Sequence, residues 1–329
     1  MKKHILSLIL ALPLLASCSS SAAPQSDTAP TSASVTDTVS ESSDWPSVPI
    51  PDLTGVTVTD PFTYEVSRPD VKGSSADFFR DGLKIHGELY LPEGDGPFPV
   101  IVISSGQTAP CSFYYDEAEA FSESGYACIV YDSVGAVGNS SSDGEITDSS
   151  VLTEVQDLNA ILDSLPDLPK VDADNVFLFG HSIGGLVDII TGAHRPDDIK
   201  GMILLEPAVT YPDFVRTNNP VPANLPDVIN EPRMYNALVG KQFIIDMSTV
   251  DVLKETALCD KDVLMIIGTA DEKTSSHPSS AALYPEAFEI IGNTFPSCET
   301  YVVDGADHFF QGEYGKAVVK KSIEYVKGH

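Results

Sequence analysis

The chain is poor in basic residues. Its 329 residues include 19 Lys and Arg against 48 Asp and Glu, and the formal net charge is −29. Such an acidic surface repels phosphate backbones, which argues against nucleic acid as a partner and against strongly anionic polymers as substrates. Paired C-x₂-C motifs are lacking among the five cysteines. We therefore expect no metal and no cofactor.

No early apolar run is long enough to cross a bilayer, which needs about 20 apolar residues. Ile5–Leu15 is shorter and follows Lys2 and Lys3, a pattern that predicts a signal peptide over residues 1–17. Its end, Leu15-Ala16-Ser17-Cys18, resembles the bacterial lipobox, and the resemblance implies cleavage before Cys18 and lipid attachment there. An ordinary secretory signal with an incidental cysteine is the alternative. Cleavage leaves 17 basic against 48 acidic residues, a net charge of −31.

Residues 18–50 contain little that a core could bury. They are rich in Ser, Thr, Ala and Pro, and such a composition predicts a disordered tether. Residues 51–329 then form one large domain. We expect this domain outside the cytoplasm, held to a bacterial membrane by the lipid on Cys18.

Disulfides are permitted in an exported protein. Cys259 and Cys298 each stand four residues before a predicted strand. If those strands are parallel neighbours, a bridge between the two thiols is feasible, but connectivity stays open at the sequence level.

The order of elements predicts an α/β fold with a mostly parallel, doubly wound sheet. Asp77–Pro92 alternates apolar and polar residues around Asp81-Gly82, which predicts an antiparallel hairpin. Short runs that are apolar on both faces follow it, separated by helix-length segments. These predicted strands are Val100–Ser104, Ala127–Tyr131, Val176–Phe179, Met202–Leu205, Val263–Ile267 and Tyr301–Val303. The helical spacings lie in Tyr114–Ser124, Val151–Leu165, Gly185–Ala193 and Lys316–Val326.

One proline-rich segment, about residues 211–255, is too long for a simple crossover between strands. It contains a possible small hairpin around Val239-Gly240-Lys241. We expect it to form a cap over the carboxyl edge of the sheet.

The strongest chemical signal is Gly180-His181-Ser182-Ile183-Gly184, followed by Gly185. A G-x-S-x-G motif alone is weak, but here a predicted strand precedes it and a helical run follows it. A nucleophilic serine on a tight strand-to-helix turn requires that context. Ser182 is therefore the candidate nucleophile. The backbone N–H groups of Ile183 and of Gln107, after the strand Val100–Ser104, are the candidate oxyanion donors.

A nucleophilic serine needs a base, and His308 directly follows the last predicted strand. His277 is the alternative. The other five histidines lie in the signal peptide, the early hairpin, beside the nucleophile, at a helix end and at the terminus. Asp271, just past the strand Val263–Ile267, is the candidate carboxylate that orients the base. Glu272 and Glu206 remain alternatives.

Five segments together resemble the cinnamoyl or feruloyl esterase-like branch of the α/β-hydrolases, which is related to dienelactone hydrolases. They read GELYLPEGDGPFPVIVISSG, YDSVGAVGNS, GHSIGG, GTADE and GADHFF, and the match covers about residues 77–327. The family's triad falls on Ser182, Asp271 and His308, while Asp132 falls at a structural position. Serine replaces the histidine that the family often has at the oxyanion turn, at Ser105.

The resemblance implies a serine esterase that acts on short acyl or hydroxycinnamoyl esters, as small molecules or linked to plant polysaccharide. A peptidase of the prolyl oligopeptidase type is the second interpretation, disfavoured because those enzymes carry a large propeller. A non-catalytic binding lipoprotein is the third interpretation, and it would require a broken triad.

Overall fold

The structure is a computed structural model. The residues it describes form a single compact unit, and they are 73–107, 109–137, 140–218, 225–231, 237–270, 281 and 284–329. The predicted signal peptide, Cys18 and the tether lie outside them. Within these ranges, no helix combines the length and apolar content that crossing a bilayer requires.

In the described part of the chain, eight strands form one sheet and two form another. The strands are β1 (Ser74–Arg80), β2 (Leu83–Tyr90), β3 (Phe98–Ser104), β4 (Ala127–Asp132), β5 (Val171–His181), β6 (Gly201–Leu205), β7 (Val228–Glu231), β8 (Ala237–Gly240), β9 (Asp262–Gly268) and β10 (Ser297–Val303). The large sheet has the order β1-β2-β4-β3-β5-β6-β9-β10. Its first two pairings are antiparallel, and the rest are parallel. The predicted mostly parallel sheet with an antiparallel start is confirmed.

The opening hairpin turns where the sequence predicts. Arg80 pairs with Leu83, and the two residues between them have positive φ, 52° at Asp81 and 83° at Gly82. Positive φ at both central residues gives a turn whose twist matches the flanking strands. Aspartate and glycine are among the residues that adopt this backbone most readily.

Helices cover both faces of the sheet. They are α1 (Tyr115–Glu123), α2 (Val151–Ser164), α3 (Ile183–His194), α4 (Tyr211–Asn218), α5 (Lys241–Thr249), α6 (Val252–Leu258), α7 (Pro285–Thr294) and α8 (Glu313–Val326). α1 and α8 bury apolar residues on one face of the sheet, and the other helices bury theirs on the opposite face. The four helical segments predicted from spacing are confirmed as α1, α2, α3 and α8.

The two-sided core explains why the central strands read as continuous apolar runs. In β3, Val100 and Val102 join the core on one face, while Ile101 and Ile103 join the core on the other, and all four are fully buried. Each such side chain contributes roughly 1.5–3 kcal/mol on burial. Successive strand residues point to opposite faces, so a sheet covered on both sides needs apolar residues at every position.

One strand boundary differs from the sequence prediction, and the structure shows the state of two cysteines whose pairing the sequence leaves open. β5 begins at Val171, five residues before the predicted start, because its polar first half pairs with the start of β3. β9 and β10 are parallel neighbours as expected, but Cys259 and Cys298 remain free thiols. Cys298 lies within β10, paired with Val263, whereas Cys259 lies before β9 begins. The two cysteines are therefore offset along the strands, and no bridge forms.

The long segment after β6 contains α4, the hairpin β7–β8 and α5. α5 docks on the start of α2, where Ser150 Oγ donates to Asp246 Oδ2 at 2.6 Å. A small hairpin forms in this segment as the sequence suggests, but Gly240 is not at its turn, because Gly240 ends β8 and precedes α5. A side chain at Gly240 would collide with the backbone carbonyl of Thr147, so close packing explains this glycine.

A buried carboxyl group on α2 couples the fold to pH. Glu154 is 7% exposed, and its Oε1 accepts a hydrogen bond from Ser149 Oγ at 3.0 Å. Burial raises the pKa of Glu154 from 4.5 to about 8, against the opposing effect of the Ser149 hydrogen bond and with a further increase from Asp157. The folded protein therefore holds a proton that the unfolded chain releases. The stability linked to that proton is complete below pH 4.5 and is lost as the pH rises towards 8.

We expect the free energy of unfolding of Glu154→Gln, relative to that of wild type, to increase as the pH rises from about 5 to about 8. The amide carries no charge to bury, and each pKa unit corresponds to about 1.4 kcal/mol. Urea unfolding of both proteins at the two pH values measures the difference. The exposed substitution Glu324→Gln on α8 is the control. A pH-independent difference between wild type and Glu154→Gln would contradict the assignment.

Candidate active site

Ser182 lies between the end of β5 and the start of α3 in a strained conformation. Its φ is 56° and its ψ is −118°, an arrangement that costs a residue with a side chain roughly 1–3 kcal/mol. Backbone hydrogen bonds to residues after β5 and α3 hold it there. Ser182 N donates to Leu205 O at 3.0 Å, and Ala208 N donates to Ser182 O at 2.8 Å. The sharp turn is the one that the G-x-S-x-G context predicts.

The glycines of the motif allow three backbone segments to meet. A side chain at Gly184 would collide with the carbonyls of Ser104 and Ser105 at the end of β3. A side chain at Gly180 would collide with the carbonyl of Gly184. The first turn of α3 can therefore lie directly against the strand that leads into the candidate oxyanion turn.

The two candidate oxyanion donors lie on adjacent elements. Ile183 is the first residue of α3, where N–H groups have no partner within the helix and the helix dipole favours negative charge. Gln107 lies in the turn after β3, the neighbour of β5. In that turn a side chain at Gly106 would begin 3.4 Å from Ser182 Cβ, which places the turn against Ser182. Oxyanion binding by these two N–H groups stays a prediction.

A buried network that the sequence pattern does not reveal supports the same turn. Ser104 Oγ donates to Asp188 Oδ1 at 2.7 Å and lies 3.0 Å from the Tyr131 hydroxyl. Burial raises the pKa of the Asp188 carboxyl well above its usual range. Ser104 is the last residue of β3, so the network fixes the strand end to α3. A carboxyl group within an otherwise apolar helix is the signal that could have found it.

His308 follows β10 and is 3% exposed. Its ring centroid lies 4.9 Å from that of His181, and its backbone carbonyl lies 2.8 Å from His181 Nε2. The structure therefore brings the predicted base beside the residue that precedes Ser182. His86 and His194 are engaged elsewhere, with Asp77 and Glu255 respectively.

The candidate acid Asp271 lies outside the described residues, as do Glu272 and His277. The alternative acid Glu206 is fully buried at the end of β6. Its Oε1 accepts from Gly268 N at 2.6 Å, and its Oε2 accepts from Ala281 N at 3.0 Å. Both oxygens of Glu206 therefore hold the ends of the segment that contains Asp271, which favours a structural role for Glu206.

Asp132 also has a structural contact, in agreement with the sequence interpretation. Its Oδ1 accepts a hydrogen bond from Cys111 N at 2.6 Å and so fixes the short helical turn before α1.

Comparison with known proteins places this site in a family. The sequence model of the serine aminopeptidase, S33 family (Hydrolase_4) matches residues 95–265, just over half of the chain. The esterase FrsA of Escherichia fergusonii is 33% identical over 129 residues, which is 39% of this chain and 30% of that protein. The monoglyceride lipase of Rattus norvegicus is 30% identical over 134 residues, which is 39% of this chain and 41% of the lipase. The chain thus spans less than half the length of either curated relative.

Solved structures give the same fold. Est1E from Butyrivibrio proteoclasticus, with ferulic acid bound, superposes with a TM-score of 0.66 at 22% identity, covering 77% of this chain and 100% of Est1E. At that identity the likeness concerns the fold alone. The family match extends over the strands that carry Ser182 and both candidate oxyanion donors. The predicted resemblance to the α/β-hydrolases is confirmed, and the chain belongs to their serine aminopeptidase, S33 family.

Proposed function

We propose that the protein hydrolyses carboxylic esters through an acyl-enzyme on Ser182. The observation that carries the proposal is the strained backbone of Ser182, packed against the turn after β3 and beside the His308 segment. Strain of this kind persists where the surroundings enforce it, and it concentrates at functional sites. The named activities of the relatives, esterase and lipase, support the same chemistry.

In the first half of the reaction, Ser182 Oγ attacks the ester carbonyl carbon while the His308 ring takes the hydroxyl proton. The carbonyl electron pair moves onto oxygen, and the N–H groups of Ile183 and Gln107 bind the resulting oxyanion. The tetrahedral intermediate then collapses. The bond to the alcohol oxygen breaks, the protonated His308 gives that oxygen its proton, and the acyl group remains on Ser182.

In the second half, His308 takes a proton from water, and the hydroxide attacks the acyl carbon. Collapse of this second intermediate returns the proton to Ser182 and releases the carboxylic acid. Asp271 holds the His308 ring in the correct tautomer and stabilises its protonated form. The positions of Gly268 and Ala281, both bound to Glu206, support this assignment of Asp271 over Glu206.

For the substrate we propose a short acyl or hydroxycinnamoyl ester, free or linked to polysaccharide. The likeness to Est1E, whose structure holds ferulic acid, supports this class. The segment of about residues 211–255 would cap the acyl pocket. The hydrogen bond of Asp246 to Ser150 supports a fixed docking of its α5.

Amide hydrolysis is the second candidate, because the matching family is named for serine aminopeptidases. The same nucleophile, base and oxyanion donors serve both bonds, so the site geometry does not separate the two. Methyl ferulate and p-nitrophenyl butyrate on one side, and aminoacyl p-nitroanilides on the other, separate them directly. Faster turnover of the anilides would make the protein a peptidase.

The first prediction from this mechanism concerns the nucleophile. We expect Ser182→Ala to lose ester turnover by about 10⁴-fold or more, since the acyl-enzyme cannot form. Hydrolysis of p-nitrophenyl butyrate and labelling by a fluorophosphonate probe measure the loss. Ser322→Ala, which removes a buried hydroxyl from α8, is the matched control and should keep both signals. Full turnover in Ser182→Ala would overturn the mechanism, and an unlabelled wild type would favour a binding protein.

The second prediction separates the candidate acids. Asp271→Asn should lower kcat by about 10³-fold or more, because the ring loses its orienting carboxylate, while the melting temperature stays close to that of wild type. Glu206→Gln should lower the melting temperature, because one of the two backbone N–H groups that donate to Glu206 loses its acceptor. Leaving such a buried N–H without an acceptor costs about 1–3 kcal/mol. Glu272→Gln tests the third candidate acid and should keep the kcat of wild type. A fall in kcat at unchanged stability in Glu206→Gln, with normal kcat in Asp271→Asn, would reverse the assignment.

We propose further that the mature protein is anchored outside the cytoplasm of a bacterium by lipid on Cys18, with residues 18–50 as the tether. The proposal rests on the signal-like sequence before Cys18 and on the polar composition that follows it. The anchor would place the site near ester substrates at the cell surface.

Changing the anchor cysteine tests this proposal. We expect Cys18→Ser, expressed with its full leader in a bacterial host, to lose incorporation of labelled fatty acid and to leave the membrane fraction. Cys298→Ser is the control and should remain labelled, because Cys298 lies within β10. Lipid labelling of Cys18→Ser would contradict the anchor site.

A further inference from the structure

A buried tyrosine joins the candidate oxyanion turn to the nucleophile segment. Gly106 N donates to the Tyr114 hydroxyl at 3.1 Å, and the same hydroxyl lies 2.6 Å from His181 Nδ1. Tyr114 is 2% exposed and His181 is 3% exposed, so the contacts are shielded from water. Tyr114 ends a short helical turn before α1, on an element outside the catalytic motifs.

The second ring nitrogen of His181 extends the contacts to the base segment. His181 Nε2 lies 2.8 Å from the backbone carbonyl of His308, which can only accept. Nε2 therefore carries a hydrogen. In the neutral ring Nδ1 is then an acceptor, so the Tyr114 O–H donates to it. The resulting chain has one consistent direction, from Gly106 N–H to Tyr114, to His181, to the carbonyl of His308.

These hydrogen bonds directly connect segments that the sheet connects only through other strands. β3 and β5 are hydrogen-bonded neighbours, but β6 and β9 separate β5 from β10. The strand ladders therefore position the segment after β10 relative to Ser182 only through two intervening strands. The tilted contact of the His181 and His308 rings, at 4.9 Å, and the edge contact of Tyr114 with His181, at 5.9 Å, reinforce the same path.

We propose that Tyr114 and His181 are positioning residues, which together set the distance between the oxyanion turn, the nucleophile and the base. The inference rests on the proposed ester hydrolysis. Neither residue touches substrate in this role. Tyr114 acts through the backbone of Gly106, and His181 acts through that of His308. Tyr114 lies outside the motifs that identify the triad, and His181 occupies a variable position of G-x-S-x-G.

The chemistry of Tyr114 suits the role. Burial raises the pKa of its hydroxyl well above the ordinary value, against the opposing effect of the Gly106 hydrogen bond. The group therefore stays protonated and keeps donating to His181. If the hydroxyl is removed, Gly106 N–H loses its acceptor and His181 Nδ1 loses its donor, both in a buried site. The turn and the ring are then free to shift, and a displacement of about 1 Å at a reacting centre can cost about 10²-fold in rate.

The test compares two single-hydroxyl deletions. Tyr114→Phe should lower kcat on p-nitrophenyl butyrate by about 10-fold to 100-fold, with KM within about 3-fold of wild type. Tyr325→Phe is the matched control. Its hydroxyl is also buried and donates to a backbone carbonyl, that of Asp262, but at the opposite end of the sheet from Ser182. The control should lose a similar amount of stability and keep the wild-type kcat.

A second readout does not depend on activity. The Gly106 amide should exchange with deuterium faster in Tyr114→Phe than in wild type or in Tyr325→Phe. His181→Phe interrupts the same hydrogen-bond path at its middle residue. Combining it with Tyr114→Phe should lower kcat little further than either single change, because the two residues act as one unit. His181→Phe also supplies the measurement if Tyr114→Phe does not fold.

The outcomes separate this inference from the proposed function. If the wild type cleaves no ester, the proposed function fails, and deuterium exchange of the Gly106 amide still tests the hydrogen bonds through Tyr114 and His181. If the wild type is active but Tyr114→Phe and Tyr325→Phe have equal kcat, the positioning role is wrong. Additive losses in the double variant, or a loss confined to KM, would also overturn it.

Discussion

The backbone of Ser182 is held in the left-handed region by hydrogen bonds to Leu205 and from Ala208. The conformation is costly for serine, so it exists only because β5, β6 and α3 are fixed around it. Glycines on either side of Ser182 let α3 approach the end of β3 at backbone distance. The positions of the candidate oxyanion turn, the candidate nucleophile and the start of α3 are thus consequences of one tight crossing of three segments. If the three segments packed less closely, the backbone of Ser182 would relax, and these groups would also move apart.

Much of this arrangement follows from residue pattern. Runs apolar on both faces predict a covered parallel sheet, and Asp81-Gly82 predicts the hairpin turn, because both depend on local periodicity and backbone preference. The boundaries and the small hairpin are less predictable. The polar first half of β5 is a strand only because β3 lies beside it. Gly240 is glycine because Thr147 packs against it, and that contact spans a long separation in sequence.

The candidate site divides in the same way. Ser182 and His308 stand at the ends of strands whose order is readable, so chain order alone suggests that they meet. No sequence motif predicts the contacts that Tyr114, Asp188 and Glu206 make. Each makes contacts between elements distant in the chain, and ordinary residue types make them. A tyrosine ahead of a helix has no distinguishing sequence signature. An aspartate within an apolar helix signals an unusual buried group, but only the fold reveals what it contacts.

The carboxylate of Glu206 receives the chain at Gly268 and again at Ala281. The two anchor points therefore belong to the scaffold, while the intervening residues contribute length and side chains between fixed ends. Glu206 directly follows β6, and Gly268 ends β9, the strand that pairs with β6. One buried carboxylate therefore links two neighbouring strands and Ala281, so that a change at Glu206 would reach all three points at once.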